Sequence, residues 1–409
     1  MEIPESSEPT QITNKVQYNN AWHNSNGTMV QNITDEEPSQ IYERQVEVAL
    51  WIYISPVLII LGTIGNGLTI LLLQRKKMRS SSWSQYLTAL AVADLTVLYT
   101  GLLGEWIRNL THNNVDVQTL SNPGCKMYLF MMYASIHSSA WILVAVTLDR
   151  VIFVYFPIRA KYLCTVRMAK YCLLGMLVAI VALNVHFFWT FHLKHYGGLL
   201  GSTCYAKEDY YDFWLDTWPM LDSFVASYFP FLIMLISNIL IIGRLLYARH
   251  QRIAMTGATQ NSTSMTQVTV MLLTVNFVFL FCTAPIVLLL QVFINDNATG
   301  AVNESSDAQL SLARAALTLL QYTNNSTNFI CYCISGPRFR KELVYVLCGH
   351  RERNNPSISQ GNSHHTVNDG KRNRLSRKLT MTEFLRNSTK GRRSNGNTAY
   401  AKVESASSV

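Results

Sequence analysis

The sequence predicts an all-α membrane protein: a seven-transmembrane helix bundle with a short amphipathic helix on the inner leaflet. Of the 409 residues, 49% are hydrophobic and only 14% are charged, a composition too apolar for a soluble chain of this length. Seven long runs carry almost no charge, and each can cross about 30 Å of hydrocarbon as a helix. The runs cover residues 48–73, 83–104 (interrupted by Asp94), 127–148, 171–193, 223–243, 268–294 and 315–337.

The distribution of Lys and Arg predicts the orientation. The connection after the first run is strongly basic (residues 74–79, QRKKMR), and most of the formal charge of +9 lies in the segment beyond Arg338. The N-terminal segment, in contrast, has only Lys15 and Arg44. Because basic residues stay on the cytoplasmic side, we expect a plasma-membrane protein with its N-terminus outside. The basic tail is interpreted as facing lipid and protein partners, not nucleic acid.

Three regions follow from this topology. Residues 1–46 are predicted to be an extracellular, glycosylated segment without a cleavable signal peptide. Residues 47–348 form the membrane domain, and residues 349–409 form a disordered cytoplasmic tail. Acceptor patterns for N-linked glycans all fall on the predicted outer side, at Asn26, Asn32, Asn109, Asn297 and Asn303.

Cysteine positions agree with the topology. Of the eight cysteines, only Cys125 and Cys204 lie on the predicted oxidising side, so a single pairing can form there. Two free outer cysteines are the alternative.

The stretch from Cys125 to Pro157 carries the most specific pattern. Cys125 precedes an uncharged run and Asp149-Arg150 follows it, so a helix would hold Cys125 and Arg150 roughly 37 Å apart on opposite membrane faces. This stretch resembles the third transmembrane helix of rhodopsin-like (class A) G-protein-coupled receptors, where Asp149-Arg150-Val151 stands for the family's Asp-Arg-Tyr. The resemblance implies that the disulfide joins Cys125 to Cys204. An arbitrary ion pair at the end of a membrane helix is the alternative.

Asp94 lies near the middle of the second run, where an acid is costly unless it is partnered. The resemblance implies that this acid holds a sodium ion, the single metal or cofactor expected, within a polar cluster of Asn66, Asp94, Ser139, Asn324, Asn325 and Asn328. A polar network that only joins the helices is the alternative.

Two prolines are predicted to act as hinges, Pro230 in the fifth run and Pro285 in the sixth, because proline removes a backbone hydrogen bond and kinks a helix. Thr283 replaces the family's usual tryptophan, and no acid lies near Met265 to hold Arg150 to the sixth helix. Asn238 also stands where the family usually has a tyrosine.

The resemblance extends to a branch of the family. Phe329 after Asn328, followed by Cys331 and Tyr332, together with SIHSSAW (residues 135–141), is similar to peptide receptors of the FMRFamide, myoinhibitory-peptide and thyrotropin-releasing-hormone type.

The predicted function is that of a receptor, not an enzyme, which binds an extracellular neuropeptide and activates a heterotrimeric G protein through Asp149, Arg150 and Tyr332. The alternatives are a small-molecule ligand such as an amino acid, or a transporter, for which the sequence lacks an internal repeat. The ligand-binding candidates are Glu105, Met132, Tyr133, His137, Gln291, Arg314 and Tyr322.

Separate observations bear on three of these ligand-binding candidates. Met132 stands where amine receptors have an aspartate, which argues against an amine ligand, and His137 is equally consistent with a neutral packed side chain. An acidic excess on the predicted outer surface favours a cationic or amidated peptide, with Glu105 as its direct partner. An acidic rim that only aids solubility is the alternative.

The segment after the seventh run is basic and amphipathic, typical of a helix on the inner leaflet. Cys348 at its end is a candidate for palmitoylation, with an unmodified thiol as the alternative. Hydroxyl residues of the tail are candidate kinase targets that would recruit arrestin. Ser407-Ser408-Val409 resembles a ligand of a PDZ groove, although chance explains three residues as well.

Overall fold

The computed structural model describes residues 22–23, 29–30, 38–195, 202–256, 264–299 and 304–348. Within these ranges the chain is almost entirely helical. The α-helices are α1 (Pro38–Leu73), α2 (Ser82–Val97), α3 (Leu103–Leu110), α4 (Asn122–Tyr155), α5 (Pro157–Leu163), α6 (Val166–Asn184), α7 (Phe187–Thr190), α8 (Trp218–Ser223), α9 (Phe229–Thr256), α10 (Ser264–Thr299), α11 (Glu304–Ser335) and α12 (Pro337–Cys348). The strands are β1 (Trp22–His23), β2 (Met29–Val30), β3 (Phe191–His195) and β4 (Ser202–Ala206), and both pairs, β1–β2 and β3–β4, are antiparallel.

The described residues contain six helical stretches that are long and apolar enough to cross a membrane. They are Gln40–Leu73, Ser82–Leu110, Asn122–Tyr155, Val166–Thr190, Glu208–Gln251 and Thr266–Leu289. The seventh helix of the bundle is α11, which packs against α1 and α10. Its row of Asn, Ser and Thr residues (323–328) makes it the most polar of the seven. The predicted seven-helix bundle is therefore confirmed.

Helix α4 lies at the centre of the bundle, in contact with α2, α6, α9 and α10. Its start is specified locally, because the hydroxyl of Ser121 accepts a hydrogen bond from the Gly124 N–H at 3.1 Å and Pro123 occupies the first turn. It ends at Tyr155, directly before Phe156 and Pro157, since proline disfavours the helical conformation of the residue that precedes it.

The predicted end of the fourth run and the predicted start of the fifth are wrong. The fourth run was expected to stay helical to residue 193, but helix α6 ends at Asn184 and the chain enters strand β3 at Phe191. The fifth helix begins much earlier than residue 223, since helical turns extend from Glu208. This extension includes a π-helical turn at Phe213–Thr217, and a second π turn, Phe224–Tyr228, ends two residues before Pro230. A π turn is a common way to fit a proline into a helix, because it changes the local hydrogen-bond register.

Candidate functional site

The outer end of α4 is fixed by a covalent bond. The predicted disulfide joins Cys125, in the first turn of α4, to Cys204 in strand β4. Strand β3 adds a second attachment, because the Leu193 N–H donates to the side-chain oxygen of Asn122 at 3.0 Å. The β3–β4 hairpin is therefore held against the outer end of the central helix.

Asp94 lies in a fully buried polar cluster. Its Oδ1 accepts hydrogen bonds from Ser139 Oγ at 2.7 Å and Asn325 Nδ2 at 2.8 Å, and its Oδ2 accepts from Asn328 Nδ2 at 2.8 Å. Asn66 instead donates to the backbone oxygen of Asn325 at 2.9 Å, so it positions a ligand of the carboxylate. The cluster joins α1, α2, α4 and α11.

The donor set of this cluster fits a hard monovalent cation. None of the ion pairs in the described part of the chain involves Asp94, and its hydrogen-bond donors are neutral. The hydroxyl of Ser139 and the buried side-chain oxygens of Asn324 and Asn328, which have no hydrogen-bond partner there, add the oxygen ligands that such cations prefer. Asn324 does not bond to Asp94 in this structure; it lies beside Ser139 and Asn325.

A cavity lies against this cluster. Ile136, Ala226, Thr283 and Tyr322 line it together with Ser139, Asn324 and Asn325. The volume of this cavity is about 40 Å³. Thr283 forms part of the cavity wall. It stands where the family usually has a tryptophan, a larger side chain.

The other predicted ligand contacts are dispersed. Glu105 forms an ion pair with Arg108 one turn later on α3, so its charge is already balanced. Tyr133 belongs to an aromatic cluster, stacked on Phe187 at 4.9 Å and edge-on to Trp218 at 5.6 Å. Met132 is half-buried and Arg314 is exposed. The side chain of Gln291 lies outside the described residues.

His137 is completely buried and has polar partners on two other helices. Its Nδ1 lies 3.3 Å from the side-chain nitrogen of Asn184, and its Nε2 lies 3.2 Å from Oδ1 of Asp222. Asp222 is not among the predicted site residues, because it lies one residue before the start of the predicted fifth run.

At the inner end of α4, Arg150 is buried and paired with the carboxylate of Asp149 through its terminal NH2. The same carboxylate oxygen accepts a hydrogen bond from Ser82 Oγ at 3.2 Å. The other two guanidinium nitrogens have no hydrogen-bond partner within the described ranges. Burial and the charge of Asp149 raise the pKa of the Cys164 thiol to about 12, so the thiol stays protonated and donates to the Asp149 carbonyl.

A second buried contact nearby joins three helices, and it is not among the predicted site contacts. Asn276 on α10 donates its amide to Thr147 Oγ1 at 2.8 Å and to Asn238 Oδ1 at 2.9 Å. It therefore links α10 to both α4 and α9. Tyr332 is also buried, with its ring 5.4 Å from that of Phe339 on α12.

Several predicted modification sites lie outside the described residues, and Cys348 is the last of those residues. Asn26, Asn32, Asn303 and the tail that ends at Val409 lie outside the described residues, as does the side chain of Asn297. Asn109 is half-buried in α3, where its side-chain nitrogen donates to the Glu105 carbonyl at 2.8 Å. Cys348 is exposed at the end of α12.

These features define a multi-pass helical membrane protein whose central helix α4 is cross-linked near its N-terminal end and carries a buried ion pair near its C-terminal end. The chain belongs to the 7 transmembrane receptor (rhodopsin family), whose family model matches residues 65–332. The predictions that it is a receptor of this family and not an enzyme are confirmed.

Curated relatives include several peptide receptors. The thyrotropin-releasing hormone receptor of Mus musculus is 31% identical over 147 residues, 34% of this chain and 36% of the relative. The FMRFamide peptide receptor frpr-18 of Caenorhabditis elegans is 27% identical over 305 residues, 71% and 67% of the two chains. The FMRFamide receptor of Drosophila melanogaster is 24% identical over 317 residues, 73% and 54%. The alignment thus covers about a third of the mouse relative's length.

Proposed function

We propose that this protein is a plasma-membrane receptor that binds an extracellular peptide and activates a heterotrimeric G protein in the cytosol. The observation that carries the proposal is the buried Asp149–Arg150 pair at the inner end of α4, a helix whose outer end is cross-linked to the β3–β4 hairpin. The relatives' names, which refer to thyrotropin-releasing hormone and FMRFamide, support a peptide as the ligand class. A small-molecule ligand has no specific observation in its favour.

In this proposal the outer surface receives the peptide and the inner surface transmits the signal. Peptide binding favours a state in which α10 moves outward about Pro285, which lies inside that helix. Arg150 then leaves Asp149 and contacts the G protein. The shift in population is limited by the difference in the peptide's affinity for the two states. Pro230 and its adjacent π turn supply the matching adjustment in the fifth helix.

Sodium is proposed as a regulator of the resting state. Asp94, Ser139, Asn324 and Asn328 would hold the ion, with Asn66 and Asn325 fixing their positions. The ion, when bound, would balance the buried charge of Asp94.

The remaining assignments follow the topology. The N-terminal segment and its glycan acceptors face outward, while α12 lies on the inner leaflet with Cys348 as its lipidation site. The tail recruits arrestin after phosphorylation, and Val409 is a candidate PDZ ligand. Each of these rests on sequence patterns alone.

The experiment that tests the main proposal is nucleotide exchange on purified G protein by the receptor in lipid nanodiscs. A panel of amidated peptides, FMRFamide among them, is added at matched receptor number. Arg150→Ala is the matched control, because it removes the proposed G-protein contact while leaving the outer cavity unchanged. We expect at least one peptide to stimulate exchange on the wild type and none on the control. Peptide binding without stimulated exchange in the wild type would contradict the signalling role.

A further inference from the structure

Asp222 lies close to the cavity described above without being one of its lining residues. It belongs to α8 and contacts His137 of the central helix, so its side chain is directed into the bundle and away from lipid. Ala226, four residues later, and Ile136, adjacent to His137, both line the cavity. Residues four apart on a helix lie about 6 Å from each other, so Asp222 stands about one turn above the cavity wall.

One oxygen of the Asp222 carboxylate, Oδ1, lies 3.2 Å from Nε2 of His137, yet neither atom has a hydrogen-bond partner in the described part of the chain. No Lys or Arg forms an ion pair with Asp222 within the described ranges. The side chain is nonetheless 27% exposed, so a partner can reach it.

Asn184 orients the imidazole of His137. The side-chain nitrogen of Asn184 donates to the Ile180 carbonyl at 2.8 Å, which fixes the orientation of the amide. The same nitrogen faces Nδ1 of His137 at 3.3 Å, so Nδ1 accepts a hydrogen bond and Nε2, on the side of Asp222, carries a proton.

We propose that Asp222 is a cation-binding subsite beside the ligand cavity, which receives a guanidinium or ammonium group of the ligand while His137 forms the inner side of the subsite. A poorly solvated carboxylate is stabilised by a cation that approaches it and by donors that fill its lone pairs. Glu105, the acid favoured by the sequence, is already paired with Arg108 and offers less to a ligand. The assignment rests on the proposed function only in taking the outer cavity as the place where a ligand enters.

Charged thiol reagents test this subsite without knowledge of the ligand. Ala226→Cys places a reporter thiol in the cavity wall, and its rates of labelling by cationic and anionic methanethiosulfonates are compared on intact cells. A receptor without the reporter gives the background from its native cysteines. We expect Asp222→Asn to lower the ratio of cation to anion rates by about tenfold, because a full charge is lost roughly 6 Å from the reporter. Asp222→Glu should retain the high ratio, and Glu105→Gln should leave it unchanged.

Argininamide supplies the ligand group directly. At millimolar concentration it should slow labelling of the Ala226→Cys reporter several-fold when Asp222 is present, and have no effect in Asp222→Asn. If Asp222→Asn does not reach the cell surface, protection in the Ala226→Cys receptor is compared with protection by uncharged citrulline amide. Gln321→Cys, which lines the same cavity, serves as a second reporter.

Each outcome bears on the subsite separately from signalling. An unchanged rate ratio in Asp222→Asn, equal protection by argininamide and citrulline amide, or no labelling of either reporter from outside would overturn the assignment. Labelling does not involve a G protein. Charge-dependent protection in a receptor that never stimulates nucleotide exchange would therefore support the subsite while contradicting the signalling role.

Discussion

Substitution of Asp149 by alanine is expected to raise nucleotide exchange in the absence of ligand. Arg150 is 2% exposed, and the hydrogen bond from its terminal NH2 goes to Asp149, while its other nitrogens have no hydrogen-bond partner in the described structure. Removing the carboxylate leaves a buried guanidinium without a counter-charge in the resting state. A state in which Arg150 turns towards the cytosol escapes much of this cost.

The size of the effect follows from the burial. Removing one partner of a buried ion pair costs about 3–5 kcal/mol when the other partner stays buried. If the signalling state avoids about half of this, the equilibrium shifts by about 2 kcal/mol, roughly thirtyfold. A receptor that is active about 1% of the time would then be active about a quarter of the time.

The assay is basal and agonist-stimulated exchange in membranes at matched receptor number. Ser82→Ala is the graded control, because it removes one neutral hydrogen bond to Asp149, worth about 1 kcal/mol. We expect basal exchange to decrease in the order Asp149→Ala, Ser82→Ala, wild type, and Arg150→Ala to abolish coupling while retaining ligand binding. Unchanged exchange in Asp149→Ala and Arg150→Ala, at normal surface expression, would refute the reasoning.

Three further predictions concern the cross-link, the ion and the three-helix contact. Cys125→Ser and Cys204→Ser should lose surface expression or ligand binding equally, since each breaks the same bridge; unequal losses on surface labelling would contradict the pairing in cells. Asp94→Asn should remove the effect of sodium, compared with potassium, on the thermal unfolding of the receptor, and a sodium effect that persists would place the ion elsewhere. Asn276→Leu should raise basal exchange several-fold because it breaks two buried hydrogen bonds between helices, whereas Thr147→Val breaks one bond between helices, besides its bond to Leu143 within α4, and should have the smaller effect; equal basal exchange in wild type and both variants would argue against a restraint.

The sequence was sufficient where function depends on position along a single helix. The uncharged run between Cys125 and Asp149 determines that these two residues reach opposite faces, whatever the surrounding helices do. Asp94 was recognisable for a similar reason, because an acid at mid-membrane depth must find polar partners. Ser139, Asn325 and Asn328 supply them.

The sequence was insufficient where function depends on how neighbouring helices are rotated. Asp222 and His137 are 85 positions apart, and their contact requires the outward extension of the fifth helix by turns that hydropathy alone did not include. The pairing of Glu105 with Arg108 is a different kind of omission. A spacing of three residues on a helix is visible in the sequence and indicates an ion pair, so Glu105 should have been judged less available to a ligand.

The buried polar contacts of α4 suggest how its two ends are coupled. From outside to inside, His137 faces Asp222 on the fifth helix, Ser139 bonds to Asp94 on α2, and Thr147 bonds to Asn276 on α10. His137 and Arg150 are 13 positions apart on one helix, about 20 Å. A ligand group that binds Asp222 therefore acts on a residue that contacts α4, the helix that also carries the Asp149–Arg150 ion pair.

Such contacts do not yield gradually, because a buried polar group that loses its partner costs about 1–3 kcal/mol until it finds another. Asn276 would lose two such partners at once. Its single amide nitrogen holds α10 to both α4 and α9, so α10 cannot move outward without giving up both bonds together. Movement of α10 is thereby confined to two alternatives, held or released, and the absence of an acid near Met265 does not leave that helix unrestrained. The amide contact restrains α10 in place of an ion pair to Arg150, and Asp149 is the ion-pair partner of Arg150 in the described part of the chain.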